Sequence, residues 1–286
     1  LLHDANQNNK PLQLVSFDIE KAFDKVSHQV IEQALFAFGI PTITVEAIKR
    51  LALVGYARVE VNGKKGILFL IKTGSGQGDP LSALLFLFAS EPLNLALNKI
   101  CQQFFYTTQD GTIMGSQTFA DDGMNGLQVD EPGQIRDITT VYERYTGVSG
   151  LRVNMAKSKA ICINTSPQIQ QAFSELGIEI VQSMRYLGIQ LSNTLDKTVD
   201  DTFNAIHPKA IQRKILATSV PTDLLHRATL IKAALTPIYN HVLMAIPSTV
   251  QQIKSVFEKI TSFLWTRTQE GENKQKRILV AKKRIS

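Results

Sequence analysis

Cysteine and tryptophan are scarce in this chain, two and one respectively among 286 residues. Cys101 and Cys162 alone build neither a disulfide framework nor a thiolate zinc site, and a reducing compartment is the natural reading. Long apolar runs are also missing. The longest, Leu81 to Ala89, has about half the length a membrane span needs, and Glu91 and Pro92 follow at once. No basic-then-apolar leader opens the chain, so an intracellular protein is expected, in the nucleus, the cytoplasm or both. Internal repeats, low-complexity tracts and Gly/Ser linkers are absent too. What is present is an ordinary folding composition, 44% hydrophobic and 20% charged with a mean hydropathy of -0.02. The length suits one large domain or two modest ones.

Charge is unevenly spread. Residues 205–286 hold 14 Lys and Arg against 4 Asp and Glu, a balance of +10, within a chain whose net charge is +6. The remaining body is therefore mildly acidic. A basic tail region on an acidic body points to a polyanion, with nucleic acid first and an anionic membrane second.

Along the chain, a polar stretch from Asn6 to Lys10 gives way to Leu14–Phe17, a buried strand that runs into Asp18. Ser27 is positioned to cap a helix carrying Val30, Ile31, Ala34, Leu35 and Phe38 at helical spacing until Gly39. Pro41 suits the first turn of another helix, through Val45, Ile48 and Leu51. Asn62-Gly63 between β-rich runs predicts a hairpin ending at Ile71. A glycine-rich loop, Gly74 to Gly78, precedes an apolar helix from about Leu81 to Ile100. Short strands are expected at 112–119 and 124–129 with Asp121-Asp122 between them, and a strand at 160–163. Helices are expected at 135–145 and 168–176, and a short strand at 186–191. From Asp196 onward the pattern is helical, broken near Pro221 and Pro247.

Asp18, Asp121 and Asp122 sit where carboxylates are expensive, at the end of an apolar strand and at a tight hairpin. Hard oxygen donors without neighbouring His or Cys favour Mg²⁺ over zinc. Carboxylates brought together from separate strands can hold two Mg²⁺ about 4 Å apart, the arrangement of two-metal phosphoryl transfer. From these residues alone, the metal reading and a turn-supporting role both stand.

Longer motifs surround the acids. Phe17-Asp-Ile-Glu-Lys-Ala-Phe-Asp-Lys-Val26 resembles motif A of reverse transcriptases, in the form typical of LINE-type non-LTR retrotransposons. Gly76-Gln-Gly-Asp-Pro-Leu-Ser-Ala-Leu-Leu-Phe86 resembles motif B, and Phe119-Ala-Asp-Asp122 motif C. Gly150-Leu-Arg-Val-Asn-Met-Ala-Lys-Ser158 is similar to motif D, and Tyr186-Leu-Gly-Ile189 to motif E. Five motifs in order span roughly residues 12 to 190.

The resemblance implies an α/β (α+β) right-hand polymerase. Residues 1–195 would be a palm with an antiparallel sheet, packed helices and partial fingers (about 41–75). Residues 196–286 would be an all-helical thumb with a basic C-terminal tail. It implies RNA-templated DNA synthesis from dNTPs onto a DNA primer 3′-OH, with two Mg²⁺ that Mn²⁺ can replace. Asp18, Asp121 and Asp122 would be catalytic metal ligands, with the backbone carbonyl of Ile19. Phe23 would lie under the sugar of the incoming nucleotide and exclude a 2′-OH, against a core-packing alternative. Asp24 in the same motif would support the following turn. Gln77 and Gly78 would meet the nascent base pair, and Lys157, with Lys159 as its rival, the pyrophosphate. Tyr186 and Leu187 would form a primer grip. The helices after residue 196 would clasp the template–primer duplex, where Trp265 stacks on a base or joins Phe257 and Leu264 in a core. Lys274, Lys276, Arg277, Lys282, Lys283 and Arg284 either grip nucleic acid or form a solvated end.

Two departures stand out. Motif C carries Phe119 in place of the commoner Tyr, and Gly123 is expected to weaken the strand after the acids. Most of the fingers, an endonuclease domain and Cys/His knuckles are missing, so a segment of a longer polyprotein is expected. The alternatives are a group II intron-like or other cellular reverse transcriptase, or an inactive nucleic-acid-binding relic.

Overall fold

The computed structural model describes residues 1–53, 55–75, 80–119, 122–218 and 224–265. The chain divides into two compact units, Leu1–Met184 and Arg185–Ser286.

In the first unit a helix, α1 (Leu2–Gln7), forms in what reads as a polar opening; Leu2 and Ala5 are its buried side. β1 (Leu12–Ile19) follows, with Leu12 to Val15 all buried because both of its faces are covered. Next come α2 (Ala22–Lys25) and α3 (His28–Ala37), the latter burying Val30, Ile31, Ala34 and Leu35. Ser27 occupies the N-cap position of α3, but its side chain makes no capping bond. Its backbone N–H donates instead to Ser149 O at 2.9 Å. Gly39 ends the segment at φ +78°, a left-handed conformation glycine adopts at little cost. α4 (Thr42–Ile48) starts after Pro41 and runs into a π-helical turn, Lys49–Leu53. That wider turn shifts the helical register, so Leu53 is buried and Leu51, expected inward, is exposed. β2 (Gly55–Val61) and β3 (Lys64–Ile71) form the expected hairpin, with Asn62 and Gly63 both at positive φ.

α5 (Ser82–Ile100) leads to β4 (Tyr106–Thr107), β5 (Ile113–Met114), β6 (Gln117–Phe119) and β7 (Asp122–Leu127). The strand expected over 112–119 is thus two short pieces. The strand expected to suffer from Gly123 forms nonetheless. Gly123 pairs with Phe17 on one side and Thr118 on the other, so ladder bonds from two neighbours offset its missing side chain. α6 (Pro132–Ser149), β8 (Val153–Ile163), α7 (Pro167–Glu175), β9 (Glu179–Ile180) and β10 (Ser183–Tyr186) complete the order.

Five strands make one sheet in the order β6-β7-β1-β8-β9. β1 is central and antiparallel to both β7 and β8, while β9 pairs parallel to β8. One core cluster joins Val15 and Phe17 to Leu93, Leu97, Ile138 and Tyr142. A second joins Val26, Ile31 and Val45 to Leu85 and Phe86. α5 supplies both, so one helix ties the sheet to the α2–α4 segment.

The second unit is almost wholly helical. A hairpin replaces the single strand expected over 186–191: β10 turns at Leu187-Gly188 into β11 (Ile189–Ser192). Then come α8 (Leu195–Thr218), α9 (Leu224–Leu230), a π-helical turn Ile231–Leu235, α10 (Thr236–Ala245) and α11 (Val250–Trp265). Helix hydroxyls serve the free edge of β11, where Thr198 Oγ1 accepts from Ser192 N and Thr202 Oγ1 from Gln190 N, both at 2.9 Å. Val199, Phe203, Tyr239 and Val242 lead the core. Phe257, expected to share a core with Leu264, is exposed on α11. Pro221 and the basic cluster from Lys274 lie outside the described residues. Among the described residues, no helix is long and apolar enough to cross a membrane.

Candidate active site

Asp18 lies one residue from the end of β1, directly opposite Asp122 at the start of β7. Residues opposed across antiparallel strands project from the same face with Cβ atoms roughly 5 Å apart, and like charges placed so are destabilising. Asp18 is half-buried and Asp122 exposed. Phe119 pairs with Asp122. Asp121 lies outside the described residues. So do Gln77 and Gly78. Ile19 follows Asp18 and pairs with Val153 on β8. Among the described residues, no three His, Cys, Asp or Glu side chains gather as a metal site.

Both strands of the β6–β7 hairpin are held by side chains that sequence reasoning misses. Asn94 on α5 donates to Thr118 Oγ1 at 2.7 Å. Asn125, fully buried on β7, donates to Tyr142 OH at 3.0 Å on α6. Burial of that phenol pushes its pKa up, which keeps it a neutral partner. Asn94 carries a signal of sorts, as an amide within the apolar run Leu93 to Leu97.

Phe23 stands on α2 behind Lys21, whose φ of +46° is left-handed and turns the chain out of β1. The Phe23 ring is half-buried and lies against Phe86 with centroids 4.7 Å apart. The segment ahead of the glycine-rich loop is bound to this turn. Gly74 N donates to Val26 O and Ser75 N to Phe23 O, both at 2.8 Å. His28 Nε2 lies 2.7 Å from Gly74 O. Gly74 has φ +85°, and a Cβ there would meet Asp24 O at 2.8 Å, so this close approach requires glycine. Motif A is thus joined through backbone to the two residues just ahead of motif B, and His28 is a further residue missed from sequence.

On β8 the register breaks opposite this end of β1. Ser16 pairs with Lys159 and Asp18 with Asn154, so one residue of β1 faces four of β8, Met155 to Ser158. Lys157 lies exposed in that expanded segment. Lys159 is paired with Glu179 at 3.4 Å. The Glu20 carboxyl is held below its ordinary value by Lys25 at 2.6 Å first, with the charges of Arg152 and Lys157 adding to it. Tyr186 and Leu187 belong to the second unit. Leu187 has φ +45°, and its carbonyl lies 2.6 Å from His241 Nε2.

Residues 2–191 match the family described as reverse transcriptase (RNA-dependent DNA polymerase). A relative is the Retrovirus-related Pol polyprotein from type-1 retrotransposable element R2 of Popillia japonica. It is 30% identical over 197 residues, covering 65% of this chain and 32% of that polyprotein. The Transposon TX1 uncharacterized 149 kDa protein of Xenopus laevis is 25% identical over 269 residues, 93% of this chain and 20% of that protein. The chain therefore spans a third or less of these relatives. Among solved structures, it is similar to apo telomerase from Candida tropicalis truncated from its C-terminal domain (TM-score 0.46, 11% identity, 66% of this chain and 35% of that one).

Proposed function

We propose, from the premise that this chain belongs to the reverse transcriptase family, that it is the polymerase segment of a non-LTR retrotransposon polyprotein. Its reaction is RNA-templated DNA synthesis, the joining of a dNTP to a DNA primer 3′-OH. The observation that carries this is the register setting Asp18 opposite Asp122 at the mouth of the motif C hairpin. A cation would relieve the repulsion between two carboxylates opposed at a strand end, and reverse transcriptases generally use divalent metal ions.

The donor set fits Mg²⁺, with Mn²⁺ able to substitute: carboxylate oxygens and backbone carbonyls, without His or Cys. Asp18 and Asp121 would hold two ions, with the carbonyl of Ile19 and Asp122 completing the ligands. Divalent ions held by these residues would supply the chemistry of two-metal catalysis, activation of the attacking hydroxyl and stabilisation of the leaving oxygen. The chain's own residues do the rest. Phe23, backed by Phe86, limits the space beside the sugar to a 2′-deoxyribose. The Gly74–Ser75 anchor supports the reading that Gln77 and Gly78 meet the new base pair. Lys157 neutralises pyrophosphate, a role its freedom from the Lys159–Glu179 pairing favours. Tyr186 and Leu187 steady the primer. Residues 1–195 are the palm, with partial fingers over about 41–75. The helices after residue 196 are the thumb, which clasps the RNA template and DNA primer through their phosphates. The parent supplies the remaining fingers and an endonuclease, within the cell.

Primer extension on an RNA template by the longer polyprotein tests this. Extension should require Mg²⁺ or Mn²⁺ and fall by several orders of magnitude with Asp18→Asn or Asp121→Asn, which keep shape and remove charge. Unchanged extension by either variant would overturn the metal assignment.

A further inference from the structure

The expanded stretch of β8 leaves a problem at the candidate metal ligand. Where two strands lose register, backbone groups on the unexpanded strand lose their ladder partners, and a buried N–H without an acceptor is costly. Asp18 is at that point. Its N–H donates to Ser158 Oγ at 3.2 Å, and the same hydroxyl donates to Asn154 O at 2.9 Å. Ser158 is fully buried, so water does not compete for these bonds. One hydroxyl thus closes both ends of the expansion. It replaces the missing ladder bond to Asp18 and ties back the residue that pairs with Asp18.

We infer that Ser158 is a positioning residue for Asp18: its hydroxyl fixes the backbone from which that carboxylate reaches the metals. This rests on the metal reading of the site. Asp18 is held on one side by β7, through its pairing with Asp122. On the other side it pairs with Asn154, and its N–H donates to the Ser158 hydroxyl, which in turn holds Asn154. A ligand whose backbone loses one of its supports can shift by a few tenths of an ångström, and metal sites tolerate little such looseness. Groups behind a ligand typically contribute about tenfold or more to metal affinity. Ser158 also adjoins Lys157, so the segment carrying the candidate pyrophosphate partner is tied to the metal ligand through one bond.

The test is Mn²⁺ titration of the 286-residue chain followed by electron paramagnetic resonance, alongside thermal melts. Wild type, Asp18→Asn and Ser158→Ala are compared. Asp18→Asn should remove the Asp18-dependent site. Ser158→Ala should weaken it about tenfold and broaden the bound Mn²⁺ signal, while the lost hydrogen bonds lower the melting midpoint by only a few degrees and leave the chain folded at the titration temperature. If Ser158→Ala does not fold, Ser158→Cys carries the test, because it keeps the shape and offers only a weak acceptor. Full Mn²⁺ affinity in a folded Ser158 variant, with the site still lost in Asp18→Asn, would overturn the positioning role and leave the metal reading intact. Equal binding by Asp18→Asn and wild type would overturn the metal reading itself, and the positioning role with it.

Discussion

At the scale of single residues, Phe23 separates two uses of one ring. Its contact with Phe86 satisfies core packing on one side, and the part of its surface that stays accessible can meet a sugar. Phe23→Ala should raise incorporation of rNTP relative to dNTP by at least tenfold in single-turnover extension; an unchanged ratio assigns the ring to packing alone. The cysteines make a different prediction. Burial pushes both thiols up to about 11 from an ordinary 9.0, with the charge of Asp137 adding to the effect on Cys101. A raised folded-state value favours the native state fully below the unfolded pKa and progressively less as pH rises through the folded one. The chain should therefore lose stability between pH 9 and 11, as measured by melting across that range. Both thiols should resist a disulfide reagent at pH 8 until the chain unfolds. Asp18 is legible in the sequence because an acid ending an apolar strand is conspicuous. Ser158 and His28 are not. Their meaning lies in Asp18 N and Gly74 O, partners distant in sequence that only the folded chain supplies.

At the scale of elements, local signals carry local structure. The α3 and α5 faces, the Asn62-Gly63 turn and the stop at Gly39 all follow from spacing and turn chemistry within a few residues. What escapes is register. The π-helical turn at Lys49–Leu53 inverts Leu51 and Leu53, and the expansion of β8 turns a four-residue strand into an eleven-residue one. Neither has a signature within its own window, since each is the accommodation of one element to another. The same holds for Asp18 opposite Asp122, because pairing between strands far apart in sequence is decided by the whole sheet. Gly74 shows an element held by a single position. Its left-handed φ and its approach to Asp24 O leave no room for a side chain. Gly74→Ala should cost about 2 kcal/mol or more in chemical denaturation. The loss should exceed that of Gly133→Ala, where a Cβ meets nothing within 4 Å. Equal losses would show that the anchor between motif A and the segment ahead of motif B is slack.

At the scale of the molecule, the charge asymmetry has yet to find a use in the palm chemistry. The +10 balance of residues 205–286 suits phosphates, and each phosphate neutralised by Lys or Arg releases condensed counterions. Binding of a primer–template duplex should then weaken steeply with salt, log K falling by about 0.9 per phosphate contact on B-DNA. Two truncations divide the charge. Removing 272–286 takes away six cations and one acid, and should lower the salt slope modestly. Removing everything from Asp196 should abolish stable duplex binding while the first unit keeps its fold, because the sheet and its two clusters are internal to Leu1–Met184. Circular dichroism and melting check that fold independently of binding. Because phosphate contacts fix position without reading bases, affinity should hardly vary with duplex sequence. A folded chain ending near Asn193 that binds duplex as tightly as the whole, with the same salt slope, would return the basic tail to the role of a solvated surface.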